Sequence, residues 1–344
     1  MHRASVVVIA ALFSAGHAAV ARAQTHLWVN PAGGCWCTPT NWGPPSTPTS
    51  SSVVDISIPG SYTVGFNPGV ASCSRFSLLN QSATLGLRAG ETLQLHASSQ
   101  QVMGVLRIGD GTFGNPAVVE GFVPPFLVFE GTGRIVLNAH PQAVLPFATI
   151  RASGRPVTTA PGIRIEGRGA VQADLTLQGT LAPGIGPGGI GEIQVDRLIL
   201  GASSVLEFDI AGQLFGEADR MQVFSFSSRG GTLRVRLAQG YVPAVGQIFT
   251  LITSLPSGQF ATVDAPGFEL LTGPAVTVRY VGTPCDPDMN QDGNADQDDV
   301  AYLVAVVGGG ENPTNIDPDF NRDGNADQDD IAALIGVIAG GECP

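Results

Sequence analysis

Lysine is absent from this 344-residue chain, so its 17 basic residues are all arginine. That excludes a P-loop lysine, Schiff-base chemistry and a lysine general base. Charge is scarce altogether, at 13% of residues, and aromatic residues make up only 7%. His2 and His17 lie in an N-terminal apolar segment, which leaves His26, His96 and His140 for the rest of the chain. No Gly-x-Ser-x-Gly elbow is present, so nucleophilic Ser/His catalysis has no support. Beyond the N-terminus no apolar run is long enough to span a bilayer.

The N-terminal exception reads as an export signal over residues 1–23. His2 and Arg3 make a short basic start, an apolar run extends from Ala4 to about Phe13, and Ala21-Arg22-Ala23 is a small-x-small cleavage site. Cleavage is expected before Gln24, giving a secreted protein, extracellular or at the cell surface, with no membrane span. An uncleaved anchor is the alternative, and the shortness of the run speaks against it.

Export places the five cysteines in disulfide-permissive surroundings. Cys285 and Cys343 bracket an acidic tail and are expected to pair. Cys35, Cys37 and Cys73 leave one thiol over. Cys73 is expected to bond Cys35 or Cys37, because residues two apart on a strand rarely meet disulfide geometry. A Cys-x-Cys metal site with His26 is the alternative.

The acidity is local. From Cys285 to Pro344 there are fourteen Asp or Glu against Arg322, a net charge of −13 where the whole chain carries −12. The preceding part is near neutral with scattered arginines, and the tail repels phosphate, so no nucleic acid is expected as a partner.

Residues 24–282 are rich in Gly, Val, Leu and Thr. Segments such as Thr84-Leu85-Gly86-Leu87, Val105-Leu106-Arg107-Ile108 and Asp174-Leu175-Thr176-Leu177 alternate with period two between turn residues. That pattern predicts short strands, with no amphipathic helix. Their irregular spacing and the scarcity of hairpin dipeptides suit the rungs of a right-handed parallel β-helix, or solenoid, better than a sandwich.

Trp28-x-x-Pro-Ala-Gly-Gly-x-Trp36 followed by Asn41-Trp42 resembles the opening segment of secreted bacterial β-helical repeat proteins. The Gly-rich run from Gly179 to Gly191, Leu206 to Gly212, Ala218-Asp219 and Gly246-x-x-Phe249 resemble the last rungs of autotransporter-like surface proteins. The resemblance implies a fold and no particular activity.

Within this body, Gly184-x-Gly186-x-x-Gly189 has the spacing of a dinucleotide fingerprint, but Pro187 interrupts it and a strand pattern follows, so a solenoid turn is expected. Glu207 and Asp209 point to one face of a strand, as paired acids of a glycosidase would. The neighbouring Leu206, Phe208 and Ile210 point the other way, which favours an ordinary solvated face for the two acids. Trp28, Trp36 and Trp42 suit either sugar stacking or a cap over the first turn, and the cap is expected.

The tail, residues 285–344, holds an internal repeat. Asp286 to Asp299 and Asp317 to Asp330 are identical at twelve of fourteen positions. Counting from Asp288 or Asp319, oxygen-bearing side chains fall at positions 1, 3, 5, 9 and 12 with Gly at 6, the order in which an EF-hand-type loop wraps one Ca²⁺. The expected ligands are Asp288, Asn290, Asp292, Asp296 and Asp299 with the carbonyl of Asn294, and Asp319, Asn321, Asp323, Asp327 and Asp330 with the carbonyl of Asn325. Two ions are expected. Each loop runs into an apolar helix, with Val300, Leu303, Val304 and Val307 in one and Ile331, Leu334, Ile335 and Ile338 in the other. Both stripes are expected to pack on their twins.

Duplicated loop-helix units with Asp at position 12 and no entering helix resemble a dockerin of the Cys-bracketed, Gly-Cys-ended kind. The resemblance implies a mainly β protein carrying a small α-helical dockerin, docked to a cohesin-like domain or cell-surface scaffold. It also implies that positions 10 and 11, Gln297-Asp298 and Gln328-Asp329, read the partner. A noncatalytic surface or adhesion protein is the expected role. The alternative is a scaffold-attached polysaccharide-degrading enzyme, a glycoside hydrolase or polysaccharide lyase, with polysaccharide as a further ligand.

Overall fold

The computed structural model describes residues 23–67, 69–112, 114–122, 126–141, 148–214, 216–228, 230–238, 241–254, 256–257, 259–271, 273–282, 286–314, 316–321 and 323–341. Residues 1–22 of the expected export signal, and the expected Cys285 and Cys343 pair, lie outside them.

The alternating segments are strands. Thr84–Leu87 buries Leu85 and Leu87, and Val105–Ile108 buries Leu106 and Ile108. A four-residue strand makes too few ladder bonds to stand alone, so each pairs in parallel with strands one turn before and after it. Val105–Ile108 lies between Thr84–Leu87 and Arg134–Asn138. Continued along the chain, this produces a mainly β protein, a β-solenoid of about 8 turns.

Three parallel ladders share one interior. Register places Val64, Leu85, Leu106, Ile135, Ile165, Leu181, Leu206 and Leu233 in one inward column. A second column is Leu93, Val119, Ile150, Val171, Val195 and Val223, and a third includes Leu127, Val157, Leu175 and Leu198. All are buried, and each such side chain contributes about 1.5–3 kcal/mol by leaving water. A polar residue can join only with its bonds satisfied. Gln100, fully buried next to Phe129 of the following turn, accepts from the Phe76 amide at 2.9 Å and donates to the Ala97 carbonyl at 2.7 Å.

Turn length varies from 16 residues between Ile165 and Leu181 to 30 between Ile135 and Ile165. The shortest turn is a nearly continuous strand, Arg164–Leu177, bent at Gly167, whose φ is 109°. A Cβ there would overlap the Leu137 carbonyl of the preceding turn, so only glycine can make this corner.

The ends are built differently. Among the described residues, antiparallel ladders occur only where Thr25–Trp28 meets Trp42–Gly43, and where Val276–Tyr280 lies between Ile248–Ile252 and Phe268–Leu271. At the first end Trp28, Trp36 and Trp42 are at most 2% exposed, and the Trp42 ring meets the other two edge to face at 4.9 and 5.0 Å. The Trp42 indole N–H donates to the Trp36 carbonyl at 2.7 Å. These rings form the cap.

Two expectations are corrected. Cys35 bonds Cys37, with Cα atoms 5.1 Å apart, and Cys73 is a free, buried thiol. The chain turns between the two cysteines, with Gly34–Cys35 ending the strand, so the extended-strand argument against this pair does not apply. His26 is buried at the cap with its Nε2 on the Ser46 hydroxyl at 3.0 Å. Glu207 and Asp209 likewise do not lie free in solvent, Glu207 being ion-paired and Asp209 buried, as described below.

After the solenoid come two helices, α1 at Gln297–Val307 and α2 at Gln328–Ile338, forming a small helical C-terminal region. Met289, Leu303, Phe320 and Leu334 are its buried core. Tyr302 ties the connection down, its hydroxyl donating to Asn312 Oδ1 at 2.8 Å and meeting Thr314 Oγ1 at 2.8 Å. Among the described residues no helix is long and apolar enough to cross a membrane.

Candidate metal centre

The two acidic repeats fold alike, bond by bond. In the first, Asp288 accepts from the amides of Asp292 at 3.1 Å and Gly293 at 3.0 Å, Asn290 accepts from the Asp292 amide at 2.9 Å, and Asp292 accepts from the Asn294 amide at 2.9 Å. In the second, Asp319 accepts from Asp323 at 3.1 Å and Gly324 at 2.9 Å, Asn321 from Asp323 at 2.8 Å, and Asp323 from Asn325 at 2.9 Å. Gly293 and Gly324 both have φ of 96°, the sharp turn that position 6 requires.

Asp299 closes the first loop. Its carboxylate is completely buried and takes the Asn290 amide at 3.0 Å on one oxygen and the Asp296 amide at 2.8 Å on the other. Asp330 does the same with Asn321 at 2.8 Å and Asp327 at 2.7 Å. Asp296 and Asp327 are helix N-caps, and with Asp299 and Asp330 at the third helical position they complete capping boxes. This accounts for aspartate at position 12: a side chain on the first turn of the helix needs only a short reach back to the cap amide.

The donor set suits a hard cation in chemistry and order. Every expected side-chain ligand is a carboxylate or amide oxygen oriented by the amides of its own loop, and an ionised carboxylate keeps lone pairs beyond those bonds. The Asn294 amide holds the Asp292 carboxyl below its ordinary pKa, and the Asn325 amide does so for Asp323. None of the tail carboxylates has an ion-pair partner among the described residues, so a bound cation would compensate their charge. The side chains are not, however, drawn onto one point. Among the described residues no group of three or more His, Cys, Asp or Glu forms a metal-holding cluster.

The helices also differ from expectation. Leu303 and Leu334 are buried, but Val304 is 48% and Ile335 is 50% exposed. These are equivalent positions of the repeat, and neither packs on its twin. Gln297 and Asp298, and Gln328 and Asp329, in the first turns of the same helices, are all exposed as well.

Two sets of acids within the solenoid are held by specific partners. On the outside of one ladder Glu166 is bonded by Arg134 and by Arg164 at 2.8 Å, Glu207 by Arg164 at 2.9 Å and Arg234 at 3.5 Å, and Asp264 by Arg234 at 3.0 Å and Arg236 at 2.6 Å. Burial raises Glu207, but the bonds and charge of Arg164 and Arg234 outweigh it and hold the carboxyl below its usual range. Arg236 and then Arg234 hold Asp264 down to about 2. Apart from Arg164 and Glu166, two residues apart on one strand, these partners lie 27 to 43 residues apart in the chain, so no local sequence pattern joins them.

The second set is internal. Asp219, 1% exposed, accepts from the Gly191 and Asp209 amides at 2.8 Å each, and Asp209 accepts from the Gly188 amide at 2.8 Å. The two carboxylates thereby staple the Gly184–Gly191 turn. Burial pushes Asp219 up to about 8, against the opposing pull of its two amides. A carboxyl raised in the folded state keeps its proton after the unfolded chain has lost it, so Asp219 makes stability fall as pH rises from about 4 to about 8. Urea midpoints should decline across that window, and Asp219→Asn should remove this share of the decline.

No protein-family model and no curated protein matches the sequence.

Proposed function

We propose that the chain is a secreted, dockerin-anchored protein in which residues 285–344 take up two Ca²⁺ ions and dock to a cohesin-like domain or cell-surface scaffold. Residues 24–282 then serve as a noncatalytic surface or adhesion stalk. The carrying observation is the duplicate loop, in which the same side chains accept the same amides at an offset of 31 residues. An acidic solubilising tail has no reason to repeat such a pattern. Right-handed winding of the solenoid belongs to this reading, on the general rule for parallel crossovers.

Two exposed apolar residues at equivalent positions, Val304 and Ile335, support docking beside Gln297-Asp298 and Gln328-Asp329. Because the two faces match, either repeat can present the surface. Calorimetric titration of the full chain should give two Ca²⁺ per chain, and Asp292→Ala with Asp323→Ala should remove that binding. Capture of a cohesin-like domain should need Ca²⁺ and fail in EGTA. Capture indifferent to both the chelator and the double substitution overturns the proposal.

The polysaccharide-degrading alternative draws on the acid and arginine ladder of Glu166, Glu207 and Asp264. A general acid needs a raised pKa, and both Glu207 and Asp264 are lowered. Asp219 is raised but enclosed. Glycan cleavage or elimination by the full chain, lost in Glu207→Gln, would favour the alternative.

A further inference from the structure

The bond between Cys35 and Cys37 at the capped end of the solenoid is asymmetric in its surroundings. Cys37 is exposed, whereas Cys35 is half-buried. The backbone N–H of Cys37 donates to the sulfur of Cys35 at 3.1 Å. Two surface cavities have Cys37 in their walls. One, about 320 Å³, is bounded also by Trp36 and Phe66, and the other, about 460 Å³, by Cys35, Asn67 and Arg88. Arg88 is exposed, and among the described residues its guanidinium has no ion pair. No Asp or Glu is among the residues lining this larger cavity.

We propose that Cys35–Cys37 is a thiol–disulfide exchange site for a small anionic thiol, attacked at Cys37 and releasing Cys35. Exchange is governed by access to the attacked sulfur and by how well the departing sulfur carries negative charge. Both criteria choose the same direction. An incoming thiolate reaches the exposed Cys37 sulfur and forms a new S–S bond there. The Cys35–Cys37 bond breaks, and its electron pair leaves on Cys35, where the Cys37 amide already donates to the sulfur and stabilises the anion. Solvent supplies the proton that neutralises Cys35.

A second thiolate then attacks the sulfur of the bound thiol and frees Cys37. Two thiols have become one disulfide, and the Cys35–Cys37 bond has become two thiols, so electrons balance. Arg88 supplies the charge that selects an anionic thiol over a cationic one. The third cysteine of the solenoid takes no part. Cys73 is fully buried, and burial pushes its thiol well up, so it stays protonated and out of reach.

The full chain is treated with excess 2-mercaptoethanesulfonate, or with cysteamine, then quenched with iodoacetamide and mapped by peptide mass. The sulfonate thiol should be found on Cys37 and the alkyl group on Cys35. Arg88→Gln, an exposed change that circular dichroism should show to be folded, should slow the anionic thiol about twofold to fivefold, the effect of one solvent-exposed charge pair. Cysteamine should not be slowed. An adduct on Cys35, no adduct at all, or an Arg88→Gln effect that is equal for the two thiols overturns the proposal.

Discussion

Replacing Asp299 and Asp330 together by alanine will unfold the helical C-terminal region and leave the solenoid intact. Each carboxylate is fully buried and accepts two loop amides, so the pair of substitutions strands four N–H groups, those of Asn290, Asp296, Asn321 and Asp327. A shielded donor left without an acceptor costs about 1–3 kcal/mol. Four of them exceed the few kcal/mol that a region with a core as small as Met289, Leu303, Phe320 and Leu334 can hold in reserve. The only α-helices among the described residues are α1 and α2, so helical circular dichroism reports this region alone. Its loss in the double variant, with the β signal retained, is the expected result. Asp298→Ala with Asp329→Ala changes two exposed residues and should leave the helical signal unchanged while weakening partner capture. Retention of the helices in the Asp299 and Asp330 variant would show that the loops are held by something other than these carboxylates.

The second large effect belongs to the solenoid. Phe129 is completely buried, with register partners Gln100 in the preceding turn and Thr159 in the following one. Phe129→Ala should cost about 3–5 kcal/mol, read as a lower urea midpoint of the β signal. The neighbouring turns are fixed by ladders on three faces and cannot close over the space. The control is Phe224, which is 84% exposed, where alanine should change stability by no more than about 0.5 kcal/mol. Equal costs at the two sites would mean that the inward column is not what holds the turns together.

What could be read from residues alone depended on how far apart the interacting groups are. Alternation of Leu85 and Leu87, or Leu106 and Ile108, is visible within four residues, and it already states which side chains face inward. The winding of those strands is harder to see, because turns of 16 to 30 residues leave no fixed period to count. The acid and arginine ladder was invisible for the same reason. Arg164 and Glu207 meet at 2.9 Å although 43 residues separate them. Cys35 and Cys37 failed differently, since a strand was assumed where the chain turns. The C-terminal loops were the most legible part, because their whole bonding pattern lies within a dozen residues and occurs twice. Even there, the exposure of Val304 and Ile335 was missed, because an apolar stripe states what avoids water in general and says nothing about which member a small core has room to cover.

The two capped ends give the solenoid a defined length. A column of parallel turns, left open, presents unpaired N–H and C=O groups and a bare apolar interior at each end, and another column can stack there indefinitely. Here three tryptophans and a strand reversal occupy one end, and the antiparallel strand Val276–Tyr280 occupies the other. Both reversals turn the growth direction back on itself. The solenoid is therefore bounded at each end by a strand that runs against its ladders, which works against end-to-end stacking into fibres.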